Sequence, residues 1–205
     1  MYIQRLHSSA SDNVKTLEEA LGVHTLLEKS QRDVLRILEL SNLSPENRKT
    51  LDETITAVAF WRAIDLDTEL IDGLVSSGNI EIIQNYELQA ALVKSSTSAK
   101  TLNSQLGHFR LWYATLQPNF LRIIGIRTYL DSTTDIDAFS PGGVQSAMET
   151  FYLDAPDLLP QSAELKSILS VMLATRTNFR TMLEEHITQA RSVELQLSSE
   201  LARLE

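Results

Sequence analysis

The sequence predicts an all-α protein: an elongated up-down-up-down helical bundle with long first and last helices. Three observations predict it. Leucine dominates the apolar residues, 32 against 14 Ile and 9 Val, and leucine keeps most of its rotamer freedom in a helix, whereas β-branched side chains favour strands. The main helix breakers are scarce, with 7 Gly and 5 Pro, and the prolines fall mostly between periodic segments. Apolar residues also recur three and four apart over long stretches, the period of one helix face.

The first predicted helix covers residues 2–40, with a stripe of Ile3, Leu6, Ala10, Val14, Leu17, Leu21, His24, Leu27, Val34 and Leu38. At 1.5 Å per residue it would reach ~60 Å, which predicts a rod-like stem rather than a compact globule. Periodicity begins at once, with no capping residue ahead of it, so the native chain is expected to continue upstream of Met1. Ser41-Asn42-Leu43-Ser44-Pro45 breaks the pattern, with Ser44 as N-cap and Pro45 at the first helical position of the next helix.

That second helix is predicted over 46–76, carrying Leu51, Ile55 and Val58 on one face, with a bend or break near Ala63 to Asp67 where Asp65 or Asp67 caps a second piece. Gly78 then supplies the left-handed residue that commonly stops a helix, and Asn85 caps a third helix over 86–130. Here the stripe is regular: Leu88, Leu92, Ser95, Ala99, Leu102, Leu106, Phe109, Tyr113 and Leu116. Pro118 is expected to kink this helix or to start a new one carrying Phe120, Ile123, Ile124, Arg127 and Leu130. Residues 131–160 are irregular, with a short helix expected around Val144 to Tyr152. The last helix is predicted over 161–204, with Leu165, Leu169, Met172, Phe179, Leu183, His186, Ala190, Val193, Leu197, Leu201 and Leu204. Together these segments read as a single domain over 1–205, its first and last helices antiparallel neighbours.

Composition narrows the function. The net charge is -9 and the sequence pI about 5.0, which argues against nucleic-acid binding, because that affinity rests on clustered Lys and Arg. The chain has no cysteine, so thiolate catalysis and Cys-ligated metals are excluded. No run approaches the ~20 apolar residues of a membrane-spanning helix, and Met1-Tyr2-Ile3-Gln4-Arg5-Leu6-His7 lacks the apolar core of a signal peptide.

Candidate sites are few. Asp65, Asp67 and Glu69 are spaced like the first ligands of a calcium loop, but Leu70 stands where the loop needs Gly, and Ser76 where it needs Glu. These acids and Asp72 read better as caps and first-turn acids at a helix start. His24 and His186 could approach each other between antiparallel first and last helices. They lack the further ligands a metal needs, so no metal or cofactor is expected. Arg110, Trp112, Tyr113, Phe120, Arg122 and Arg127 concentrate cations and aromatics around Pro118. They suggest a pocket for an anionic ligand, or aromatics facing the core with arginine stems covering the flanks. No Gly-x-Ser-x-Gly elbow or phosphate loop is present, so an enzyme is not expected.

One stretch is more specific. Leu74 to Leu88 reads Leu-Val-Ser-Ser-Gly-Asn-Ile-Glu-Ile-Ile-Gln-Asn-Tyr-Glu-Leu, with Ser77, Gly78 and Asn85 as its junction residues. It resembles the pattern L-x-S-S-G-x-[IL]-x-[IL]-[IL]-x-N-x-x-L of an uncharacterised bacterial family of single-pass, membrane-anchored helical proteins. Ala163 to Leu169 looks similar too. The resemblance implies a basic tail and one transmembrane helix ahead of this domain, and hence, by the positive-inside rule, an extracytoplasmic (periplasmic) address. The expected function is a non-enzymatic interaction or assembly module. Self-association would run through the apolar stripes of the first and last helices, where polar Asn13, Ser30 and Gln31 lie beside the first stripe. One alternative is the ligand-sensing four-helix domain of a bacterial transmembrane receptor, its arginines binding a small carboxylate. Another is a cytoplasmic adaptor with no membrane link.

Overall fold

The computed structural model describes residues 2–40, 43–55, 58, 60–62, 64–124, 159–160 and 162–204. Among the described residues the regular structure is entirely helical: α1 (Tyr2–Leu38), α2 (Pro45–Thr54), α3 (Glu69–Ser76), a 3-10 turn (Asn79–Ile82), α4 (Tyr86–Ile124) and α5 (Ala163–Leu204). The fold is an all-α helical bundle whose first and last helices are long. None of these helices is long and apolar enough to cross a membrane. The short helix expected around Val144 to Tyr152, the residues Arg127 and Leu130, and most of the irregular 131–160 stretch lie outside the described residues.

Local chemistry sets most of the boundaries. Ser44 accepts a hydrogen bond from the Asn47 amide at 3.1 Å, with Pro45 next to it at the helix start. Asn85 accepts from the Leu88 amide at 3.1 Å and opens α4. Between these caps Gly78 takes φ 72°, the one left-handed backbone among the described residues. There it ends α3, while the Ser77 hydroxyl donates to the Gly73 carbonyl at 2.7 Å. Pro118 neither starts a new helix nor interrupts the old one, because α4 runs through it to Ile124. Its ring is on the exposed face, where only one backbone bond is lost.

The helix expected over 46–76 is not one helix. One α-helix ends at Thr54 and the next begins at Glu69, a separation longer than the expected break. Thr54, Ile55, Thr56 and Val58 are β-branched and resist the helix locally. Among the described residues, the carbonyls of Val58, Phe60, Arg62 and Leu66 are taken up by side chains.

The chain groups into two compact units. Unit 1 comprises Met1–Gly22, Ala63–His108 and Arg180–Glu205, and unit 2 comprises Val23–Arg62 and Phe109–Phe179. Each of the three long helices contributes one segment to each unit.

In unit 1, Leu6, Leu74, Ile83, Leu88, Leu92, Val193 and Leu197 form the core, with Ile80 and Ile71 packed against it. α1 and α5 run antiparallel here, as contacts of His7 with Ser198 (2.8 Å) and of Glu18 with Arg191 (2.6 Å) require. Two asparagines grip the chain just before α3. Asn13 accepts from the Asp67 amide at 2.9 Å and donates to its carbonyl at 2.8 Å, and Asn103 does the same for Leu66 at 3.3 Å each way.

In unit 2, the core joins Val34, Ile37 and Leu38 of α1, Leu51 of α2, Tyr113, Phe120 and Ile124 of α4, and Leu165, Leu169 and Met172 of α5. α1 and α5 are antiparallel here too: the Thr177 hydroxyl donates to Glu28 at 3.1 Å, and the Gln31 amide donates to the Leu169 carbonyl at 3.0 Å.

Candidate functional site

The densest polar chemistry of unit 2 lies inside it. Two stripes skip a step: α1 passes from Leu27 to Val34, and α5 from Met172 to Phe179. The positions that complete the period are Gln31 and Arg176, and both are 0% exposed. Gln31 therefore lies within the stripe, not beside it as the sequence reading had it.

Arg176 is a buried cation with no carboxylate among its hydrogen-bond partners in the described residues. Its Nε donates to Gln31 Oε1 at 3.2 Å and its Nη1 to His24 Nδ1 at 3.4 Å. Its Nη2 donates to the carbonyls of Val58 (3.2 Å) and Phe60 (2.8 Å) and to the Tyr113 hydroxyl (2.5 Å). Tyr113 in turn donates to the Val58 carbonyl. A guanidinium has five donors in a fixed fork, and partner dipoles meet every one of its nitrogens. The charge is solvated by the protein itself, which is the condition for burying it.

His24 completes the cluster. Its Nδ1 receives the arginine proton, so its Nε2 carries the hydrogen and donates to the Arg62 carbonyl at 3.3 Å. Burial, with the Arg176 guanidinium beside it, holds the imidazole down to about 3. It is therefore neutral across the ordinary pH range. Burial likewise pushes the Tyr113 phenol up, against the opposing pull of Arg176, and it stays a donor.

Aromatic rings enclose these groups. His24 meets Phe179 and Trp61 edge-on, with centroids at 4.5 and 4.9 Å. Trp61 also lies 5.1 Å from Tyr113 and 4.9 Å from Phe179. The guanidinium carbon sits 5.2 Å from the Tyr113 ring centroid, within cation–π range. The Trp61 indole Nε1 is buried without a hydrogen-bond partner.

Glu28 is also buried, but its carboxylate is held by Arg32 at 2.6 Å and by the Thr177 hydroxyl. The cluster can do one thing chemically: it grips the backbone of the non-helical stretch between α2 and α3. Carbonyls of Val58, Phe60 and Arg62 are each held by a side chain from a long helix.

The ligand pocket expected from Arg110, Trp112, Tyr113, Arg122 and Arg127 is not gathered by the fold. Tyr113 points into the core, whereas Arg110, Trp112 and Arg122 are exposed. The reason is the α4 stripe, which buries 106, 113, 120 and 124 and so turns 110, 112 and 122 outward. Arg122 pairs with Glu164 at 3.4 Å, and Arg127 lies outside the described residues.

The acids of unit 1 serve locally. Asp67, one residue before the Thr68 N-cap of α3, accepts from the Glu69 amide at 3.0 Å and from the Ser9 hydroxyl at 2.9 Å. Asp72 takes Lys100 and Ser96, each at 2.7 Å. These bonds, Lys100 foremost, hold its carboxyl down to about 2. His186 contacts the Met182 carbonyl at 2.8 Å through Nδ1. No group of three or more potential metal ligands occurs among the described residues.

Unit 1 has surface clefts of its own. One of about 360 Å³ is mainly apolar and includes Tyr2, Leu74, Ile82, Ile83, Leu201 and Leu204 in its lining. Another of about 670 Å³ runs along α5, where Arg191 and Arg203 line it but are paired with Glu18 and Glu200.

The chain matches no family model, and no curated protein and no solved structure matches it.

Proposed function

We infer that this chain is a non-enzymatic interaction or assembly module that self-associates. The observation that carries this reading is the apolar cleft of unit 1. Tyr2, Ile82 and Leu204 line it and remain 46%, 60% and 59% exposed. Large apolar side chains grouped in this way favour a protein partner over water. A net charge of -9 opposes adsorption on anionic lipid, which leaves a second copy as the occupant proposed. Membrane anchoring in a bacterial, extracytoplasmic setting is part of the proposal and rests on the resemblance of the Ser77-Gly78 to Asn85 junction. The sensor alternative receives no support from the arginines around Pro118, because three of them or their neighbours face outward separately.

Sedimentation equilibrium tests the reading. Self-association predicts a species heavier than 23.0 kDa that dissociates on dilution and that Ile82→Asp shifts to the monomer. A single 23.0 kDa species across a hundredfold dilution series rejects it.

A further inference from the structure

Three carbonyls of the stretch between α2 and α3 depend on side chains from elsewhere in unit 2. Val58 is held by Tyr113 of α4 and Arg176 of α5, Phe60 by Arg176, and Arg62 by His24 of α1. The contact between Arg176 Nη1 and His24 holds only while the imidazole presents a lone pair at Nδ1. A second proton on the ring would set a donor against a donor at the 3.4 Å contact and place two cations side by side. Of the groups facing His24, the Arg62 carbonyl favours a protonated ring, and the Arg176 guanidinium of α5 and the charge of Arg62 in the strap oppose it. On α1 itself the nearest acid along the helix, Glu28, is engaged by Arg32 and Thr177.

We propose that Val58 and Phe60–Arg62 form an acid-releasable strap, with His24 as the latch whose protonation detaches it from the Arg176 cluster. Release would withdraw Trp61 from His24, Tyr113 and Phe179 and open an aromatic face of unit 2, a surface distinct from the apolar cleft of unit 1. With the strap closed the imidazole takes its proton only near pH 3. With the strap open the ring reaches water, which raises that value toward the ordinary 6.5. Each pH unit between the two shifts the balance toward the open form by about tenfold.

Amide hydrogen exchange on the full chain between pH 7 and 4.5 reads this directly. After correction for the intrinsic exchange rate, protection at the buried strap amide of Val58, which donates to the Ile55 carbonyl, should fall by up to about tenfold per pH unit below ~6.5. The amides of Leu165, Leu169 and Met172 should stay more protected than the strap at every pH. In His24→Gln, which keeps hydrogen-bonding atoms but does not titrate, the strap should lose this pH dependence. Three results overturn the proposal: strap protection that does not change with pH, strap and helix amides falling to a common value, or an unchanged pH dependence in His24→Gln. Should that variant fail to fold, the wild-type His24 resonance decides. Titration near 6.5 with the strap still protected overturns the latch, and titration that tracks strap opening supports it.

Discussion

Arg176 of α5 ties α1, α4 and the strap together. It answers two backbone carbonyls, a glutamine, a histidine and a tyrosine from full burial. Arg176→Met fills a similar volume but leaves the Phe60 carbonyl without that partner and removes one of two from Val58. Orphaned buried groups cost ~1–3 kcal/mol each, so we expect a loss of about 3 kcal/mol in urea unfolding. A loss below ~1 kcal/mol would show that water takes over the carbonyls. Arg176→Lys should recover little, because one ammonium lacks the planar fork that reaches several acceptors at once. The glycines make a contrast that needs no neighbours. At Gly78 a methyl group meets nothing within 4 Å, yet φ is 72°, so Gly78→Ala should destabilise by ~1 kcal/mol through backbone strain alone. Gly107 has equally open space but lies within α4, so Gly107→Ala should stabilise by up to ~1 kcal/mol. Equal shifts of the two melting temperatures would refute the distinction.

At the scale of elements, the junction from α3 to α4 is a succession of local stops and starts. Gly78 ends one helix, a 3-10 turn carries Ile80 against the core, and Asn85 opens the next. Asn85→Ala should cost ~1 kcal/mol by removing the acceptor for the Leu88 amide, as cap losses typically do. Asn85→Ser should restore most of it, and a serine variant as unstable as alanine would point to a role other than capping. The stretch between α2 and α3 follows a different logic. Among the described residues, side chains from the long helices hold its carbonyls at Val58, Phe60 and Arg62. A segment held in this way opens before the helices it rests on.

At the scale of the whole molecule, the buried imidazole links stability to pH. In the unfolded chain His24 takes a proton near 6.5, and in the folded chain only near 3. Between those values the unfolded state binds more protons, so stability falls as the pH falls, with a slope approaching ~1.4 kcal/mol per pH unit. Asp72 acts in a lower window. Its folded carboxyl is held to about 2, so its contribution is present above the ordinary carboxylate value and is lost as the pH falls toward 2. Urea titrations should therefore lose stability between pH 6 and 4, and His24→Gln should flatten that dependence. A wild-type midpoint constant over this range would exclude an imidazole kept neutral by the fold.

The sequence alone determined whatever rests on residues within a turn or two of one another. Leucine spacing makes the long helices, Ser44 with Pro45 starts α2, Gly78 adopts the left-handed backbone, and Asn85 caps α4, each through contacts only a few residues apart. The interruption between Thr54 and Glu69 was legible only as a weakness, in β-branched residues and an expected break. Its extent depends on acceptors being satisfied by helices 38 to 118 positions away in sequence. The gaps at Gln31 and Arg176 were a signal of the cluster, since a polar residue in phase with an apolar stripe is buried by geometry whatever its chemistry. What that phase could not supply was the partner set. A buried guanidinium is tolerable only where several dipoles converge on it, and that convergence exists only once α1, α4, α5 and the strap are packed together. Around Pro118 the core also decided which side chains lie together. Residues dense in sequence were dispersed around a helix, because the tertiary core claimed Tyr113 and turned Arg110, Trp112 and Arg122 to solvent.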